Sequence, residues 1–261
     1  MKAIVLAAGR GSRLHPYTAE CPKCLTELGG QTLIGRQLTT LRAAGIEDIT
    51  IVSGYRAEML TLPNTSQVLN PNWATTNMVE SLFAAEPNFG DDLIISYSDI
   101  IYEPRVIKSL MQSDANISVI VDRKWRPYWE YRFSDPLSDA ESLKMNDAGH
   151  IIDIGEKVDN IELIEAQYIG LMRFKGAGIK ALRETKSLLG RTHRTWMEKR
   201  SLENAYMTDL LMELILSGHV VQAVPIESGW LEIDTVVDFE KASSGFKDGT
   251  ITRFFDPSKC S

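Results

Sequence analysis

Short apolar runs alternating with stretches of helical periodicity constrain this chain more than any other feature. Residues 2–8 (KAIVLAA), 48–53 (DITIVS), 92–98 (DLIISYS), 116–122 (NISVIVD) and 166–174 are near-continuous aliphatic or aromatic runs, the pattern of strands buried on both faces. Between the first two, Leu33, Ile34, Leu38, Leu41 and Ala44 fall at helical spacing and Gly45 supplies a stop. Further helices are predicted near 76–85, 104–112, 179–189 and 203–217. Strand–helix alternation predicts an α/β fold with a mostly parallel, mixed sheet flanked by helices on both faces. Ligands of such sheets sit outside the strands' carboxyl ends, so the glycine cluster after residue 8, Asp99 and Asp122 are expected to face one crevice.

The rest of the chain is less regular. Residues 63–73 are polar, and 125–136 read as an irregular aromatic excursion, a lid or acceptor loop. Asn146-Asp147-Ala148-Gly149 is a turn signal. Strands are expected over 150–154, 219–224 and 230–233. No repeat or linker interrupts 1–244, which reads as a single domain, and 245–261 reads as a tail of doubtful order. With 44% hydrophobic residues the chain is not intrinsically disordered, and its net charge of −7 disfavours nonspecific attraction to nucleic acid or anionic membrane. No apolar run approaches a membrane span of about 18 residues, and a strand starting at Lys2 leaves no room for a signal peptide, so a cytoplasmic protein is expected.

Leu6-Ala7-Ala8-Gly9-Arg10-Gly11-Ser12-Arg13-Leu14 lets backbone approach a ligand closely and follows the glycines with an arginine, a combination suited to phosphate oxygens. Leu14 stands where the dinucleotide fingerprint needs Gly or Ala, and the Gly-Lys-Ser/Thr of a Walker loop is absent. An ordinary strand-to-helix turn is the alternative. Pro22-Lys23 offers a rigid residue and a second cation for the same crevice.

Taken in order, these residues resemble the signature of nucleotidyltransferases that activate sugar 1-phosphates and related small phosphorylated compounds. Further matches are Gly54-Tyr55, Tyr97-Ser98-Asp99, Gly155-Glu156-Lys157, Tyr168-Ile169-Gly170 and Glu232-Ile233-Asp234, and together they span about 1–240. The stretch Asn70-Pro71-Asn72-Trp73-Ala74-Thr75-Thr76-Asn77-Met78 is most similar to bacterial CTP-dependent enzymes acting on phosphocholine, 2-aminoethylphosphonate or phosphoglutamine. Ile95–Ile100 and Glu165–Leu171 look most like the phosphoglutamine type.

The resemblance implies a Rossmann-like nucleotidyltransferase fold and a Mg²⁺-dependent transfer of CMP from CTP to a small phosphorylated or phosphonate acceptor, releasing pyrophosphate. The alternative is a sugar 1-phosphate enzyme using UTP, dTTP or GTP. Phosphoryl substitution needs positioning and charge neutralisation more than covalent help. Asp99 and Asp234 are therefore the expected metal acids, with a helix cap or surface salt bridge as the alternative for each, and Arg13 and Lys23 the expected catalytic cations. Leu6, Ala7, Ala8, Gly9, Gly11, Ser12, Gly54, Tyr55 and Asn77 are expected at the nucleotide. Lys157 is expected at the acceptor phosphate, and Glu165 or the faces of Trp125 and Trp129 at an acceptor amine, unless the tryptophans merely pack. Trp230, which begins a predicted buried strand, reads as packing. Neither nucleic acid nor membrane is an expected partner, and a homodimer is a candidate assembly.

Cys21-Pro22-Lys23-Cys24 has the spacing of a redox or zinc motif, but only Cys260 remains and the four histidines form no paired spacing, so these read as incidental thiols. Arg191, His193, Arg194, Lys199 and Arg200 around Trp196 read as a solvated loop or subunit contact.

Overall fold

The long apolar runs become neighbouring strands of one sheet. The computed structural model describes residues 1–192 and 200–260. Its strands are β1 (Lys2–Ala7), β2 (Glu27–Leu28), β3 (Gln31–Thr32), β4 (Ile49–Ser53), β5 (Ser66–Leu69), β6 (Asp92–Tyr97), β7 (Ile100–Tyr102), β8 (Ile117–Asp122), β9 (Glu141–Met145), β10 (Ile151–Lys157), β11 (Gln167–Lys175), β12 (Gln222–Ile226) and β13 (Trp230–Glu232). The α-helices are α1 (Leu33–Ala43), α2 (Met78–Ala84), α3 (Pro104–Gln112), α4 (Trp125–Arg132), α5 (Ala177–Thr192), α6 (Met207–Leu216) and α7 (Val236–Asp248).

Seven strands pair in the order β12-β8-β11-β6-β1-β4-β5. Only β11 runs antiparallel to its neighbours, β6 and β8. Alternate residues of β1 enter two cores: Ala3, Val5 and Ala7 pack with Leu33, Leu38 and Val106 from α1 and α3, while Ile4 and Leu6 pack with Leu82, Leu182 and Leu211 from α2, α5 and α6. Burial on both faces is what requires uninterrupted apolar strands.

Several elements depart from the expectation. The aromatic excursion is helix α4 followed by a 3₁₀ turn at Pro136–Ser138, and Trp125, Tyr128, Trp129 and Arg132 are its buried side chains. Their spacing of three, one and three residues is the stripe of a helix packed on a core, and Pro127 is tolerated because it lies in the first turn. The polar stretch after residue 63 contributes edge strand β5. The strand expected over 230–233 pairs with β7 rather than with the main sheet. Helix α7 runs through position 244, and Ile251, Phe254 and Phe255 are buried in the same core, so the expected tail is packed structure. Asp122 does not open on the crevice: its Oδ1 accepts from the backbone N–H groups of Lys124 and Ser228 and its Oδ2 from Trp230 Nε1 at 2.9 Å. Most of the basic cluster near 191–200 lies outside the described residues. Among the described residues no helix is long and apolar enough to cross a membrane.

Candidate active site

The glycine loop leaves β1 at the carboxyl edge of the sheet. Gly11 adopts φ +70°, a left-handed conformation that glycine takes without strain, and a Cβ there would lie 2.7 Å from Lys23 Cβ. The missing side chain is what lets Lys23 lie against the loop. From there Lys23 Nζ donates to Asp99 Oδ2 at 2.7 Å and to Asp234 Oδ1 at 2.5 Å, and Arg13 donates to Asp234 Oδ2 at 2.8 Å. Burial opposes the Lys23 charge, but the two carboxylates more than compensate and hold its ammonium above the usual lysine range. Arg13 remains 68% exposed, so it can turn toward a ligand without breaking a buried contact.

Two short strands place the acids side by side. β7 begins one residue after Asp99, β13 ends two residues before Asp234, and their ladder ends at Glu232 opposite Ile100. The Ile233 N–H then donates to the Asp99 carbonyl at 2.9 Å. Buried Gln37 fixes the Asp99 turn, donating through Nε2 to the carbonyls of Tyr97 (2.7 Å) and Ile100 (2.5 Å). Asp99 Oδ1 is buried with no hydrogen-bond partner, the condition of an oxygen built to take a further ligand. No group of three or more metal-binding side chains occurs among the described residues. Two carboxylates fit a hard cation that draws its remaining ligands from phosphate and water, as Mg²⁺ commonly does.

Two cavities meet here. The first, about 250 Å³, is lined by Leu6, Ala7, Ala8, Gly9, Gly11 and Ser12 along the loop, with Lys23, Asn77, Asp99 and Asp234 around them. The second, about 360 Å³, contains Lys157, Trp129, Asp139, Glu141 and Glu232. Arg13, Met78 and Tyr97 line both. A bulge in β11 opens the second cavity: Gly170 has φ +83°, and a Cβ on it would lie 2.5 Å from the Tyr97 ring. Burial pushes the Glu232 carboxyl up to about 8 despite the pull of Arg132.

Other expected residues are placed differently. Gly54 and Tyr55 stand behind the nucleotide wall: the Tyr55 N–H donates to the Ala8 carbonyl at 2.9 Å, and a Cβ on Gly54 would lie 2.5 Å from that carbonyl oxygen and from Trp73 Cβ. Trp73, absent from the expected site residues, lines the first cavity. Asn77 lines it too, but its side-chain oxygen caps α2 by accepting from the Met78 N–H at 2.9 Å. Trp125 is core, outside both cavities. Glu165 also lies outside them, its Oε2 accepting from the Met145 N–H at 3.0 Å. Cys21 and Cys24 are free thiols, and burial pushes Cys24 up to about 12, which leaves it unreactive.

A loop that can wrap phosphates, joined through Arg13 to a second polar chamber, is the layout of a nucleotidyltransferase. Residues 3–156 match the model of the MobA-like NTP transferase domain, and the chain belongs to that family. It is 37% identical over 251 residues to the CTP:phosphoglutamine cytidylyltransferase of Campylobacter jejuni subsp. jejuni, covering 92% of this chain and 98% of that one. It is 25% identical to the 2-aminoethylphosphonate cytidylyltransferase of Lancefieldella rimae over 94% of this chain and 92% of that one. The solved inositol-1-phosphate CTP transferase from T. maritima has the same fold, with a TM-score of 0.70 at 23% identity over 95% of this chain and 96% of that one.

Proposed function

We propose that the protein is a Mg²⁺-dependent cytidylyltransferase that transfers CMP from CTP to a phosphate or phosphonate oxygen of a small amine-bearing acceptor and releases pyrophosphate. The carrying observation is the convergence of Arg13, Lys23, Asp99 and Asp234 where the two cavities meet. Cytosine is the base because the full-length relatives are CTP enzymes. The Asp139, Glu141 and Glu232 carboxylates in the second cavity favour an acceptor carrying a cation, and Lys157 in the same cavity suits its anionic end.

In this reading the triphosphate lies along the Gly9–Arg13 loop, and Lys23 and Arg13 exchange their carboxylate partners for phosphate oxygens. Asp99 and Asp234 would hold Mg²⁺, which when bound neutralises phosphate charge. The acceptor oxygen forms a bond to the α-phosphorus in line with the departing pyrophosphate, whose bond to that phosphorus breaks. No residue is needed as a base, since a phosphate monoester with a second pKa of about 6 is already largely ionised at neutral pH. Arg13 and Lys23 stabilise the charge that moves onto pyrophosphate.

The test is incubation with each nucleoside triphosphate, candidate acceptors and pyrophosphatase, reading phosphate release. CTP with phosphoglutamine, phosphocholine or 2-aminoethylphosphonate is expected to give turnover. Turnover only with a sugar 1-phosphate and UTP, dTTP or GTP would overturn the reading.

A further inference from the structure

Arg132 touches neither the loop nor Asp99, yet it holds the segment that carries two of the acids. Its side chain is 2% exposed, and it ends helix α4 with its guanidinium among the Tyr128, Trp129 and Phe133 rings. NH1 donates to Glu232 Oε2 at 2.5 Å. On the other side Nε donates to Asp238 Oδ1 at 2.9 Å and NH2 to Asp238 Oδ2 at 3.2 Å. Asp238 in turn accepts, through Oδ2, from the backbone N–H groups of Asp234 (3.2 Å) and Thr235 (2.9 Å). One turn earlier on α4, Tyr128 donates its hydroxyl hydrogen to the Glu232 carbonyl at 3.1 Å and accepts from the Glu232 N–H at 2.9 Å.

We infer that Arg132 is a positioning residue for the transfer reaction: by gripping Glu232 and Asp238 together it sets where the acceptor chamber ends and where Asp234 begins. A planar fork with donors on separate edges can serve both acids at fixed geometry, whereas a lysine ammonium is a point donor on a flexible stem. Loss of the fork frees Glu232 within the acceptor chamber and loosens the turn that orients Asp234. Displacements near 1 Å at reacting groups cost about 10²-fold in rate. The rest of the nucleotide cavity does not touch Arg132, so nucleotide binding without metal is left largely intact. The inference rests on the proposed cytidylyl transfer.

The experiment compares the wild type with Arg132→Lys, Arg132→Ala and, as a control for a buried ion pair remote from the cavities, Arg173→Lys, which alters the contact with Asp92. Arg132→Lys is expected to lower kcat by about 10- to 100-fold and raise the acceptor KM, with the affinity for CTP in EDTA within about threefold of wild type by calorimetry. Millimolar guanidinium chloride is expected to restore part of the turnover of Arg132→Ala. Arg173→Lys is expected to lower Tm without changing either kinetic constant. Wild-type kcat and acceptor KM in Arg132→Lys would overturn the inference, as would a loss fully explained by the unfolded fraction at the assay temperature. A wild type inactive with CTP and every phosphorylated acceptor would instead remove the proposed function beneath it.

Discussion

Gly11→Ala and Gly30→Ala form a matched pair that isolates what the loop does for Lys23. Both glycines have positive φ, +70° and +80°, so each alanine carries a left-handed penalty of about 1–2 kcal/mol. In a chain of this size that corresponds to a Tm lower by about 2–6 °C. Their surroundings differ. A Cβ at Gly30 meets nothing within 4 Å, whereas one at Gly11 lies 2.7 Å from Lys23 Cβ and 2.9 Å from its Cδ. Carbon atoms do not approach that closely, so the lysine stem must move, and its 2.5 Å and 2.7 Å contacts to Asp234 and Asp99 cannot both survive the move. Gly11→Ala is therefore expected to lose at least about 10²-fold in kcat/KM, while Gly30→Ala keeps near-normal turnover despite a similar thermal shift. Pyrophosphate release and thermal denaturation on the same preparations decide the matter. Equal turnover in the two variants would refute the claim that the bare Gly11 Cα exists to seat Lys23.

Asp99→Asn and Asp234→Asn are each expected to lower turnover at least about 10²-fold, with fold retained by circular dichroism; near-normal rates in both would remove them from the metal. Gly54→Ala pushes a methyl into the Ala8 carbonyl and Trp73, and overpacking of about 1–3 kcal/mol on that wall should raise the KM for CTP at least about tenfold. Asp238→Asn removes a carboxylate whose burial is outweighed by Arg132 and the Thr235 bonds, so that it titrates below its ordinary value of 3.8. Its stabilisation is present above that value and is lost as pH falls through the lower folded value. Urea unfolding should thus show Asp238→Asn about 3–5 kcal/mol weaker at pH 7, with the gap closing below about pH 4; a gap independent of pH would contradict the assignment.

The sheet was legible because strands buried on both faces must be apolar throughout, and no other fold uses such runs between amphipathic helices so readily. The loop, Arg13, Lys23, Asp99 and Asp234 were legible because phosphate chemistry restricts residue types and leaves them beside strand ends. Helix α4 was readable in principle from the spacing of Trp125, Tyr128, Trp129 and Arg132, but tryptophans beside a proline drew attention to ligand contact rather than to period. Glu165 was misplaced because the sequence carries no information on which side of β11 its neighbour turns. Gln37, Asp139 and Arg132 were invisible for a different reason: a buried polar residue is defined by the partners that surround it, and those come from distant segments.

The β13 strand owes its own placement to residues that no chemistry would single out. The Gly229 and Trp230 N–H groups both donate to the Phe254 carbonyl, at 2.6 Å and 3.2 Å, and the Phe254 ring packs on Tyr128 at 5.1 Å. A ribosome that has delivered every residue proposed to touch substrate has therefore still not delivered the clasp for the strand leading to Glu232 and Asp234. Phe254 must emerge and dock before that strand gains its last backbone partner, which couples the onset of turnover to the near-complete translation of the fold.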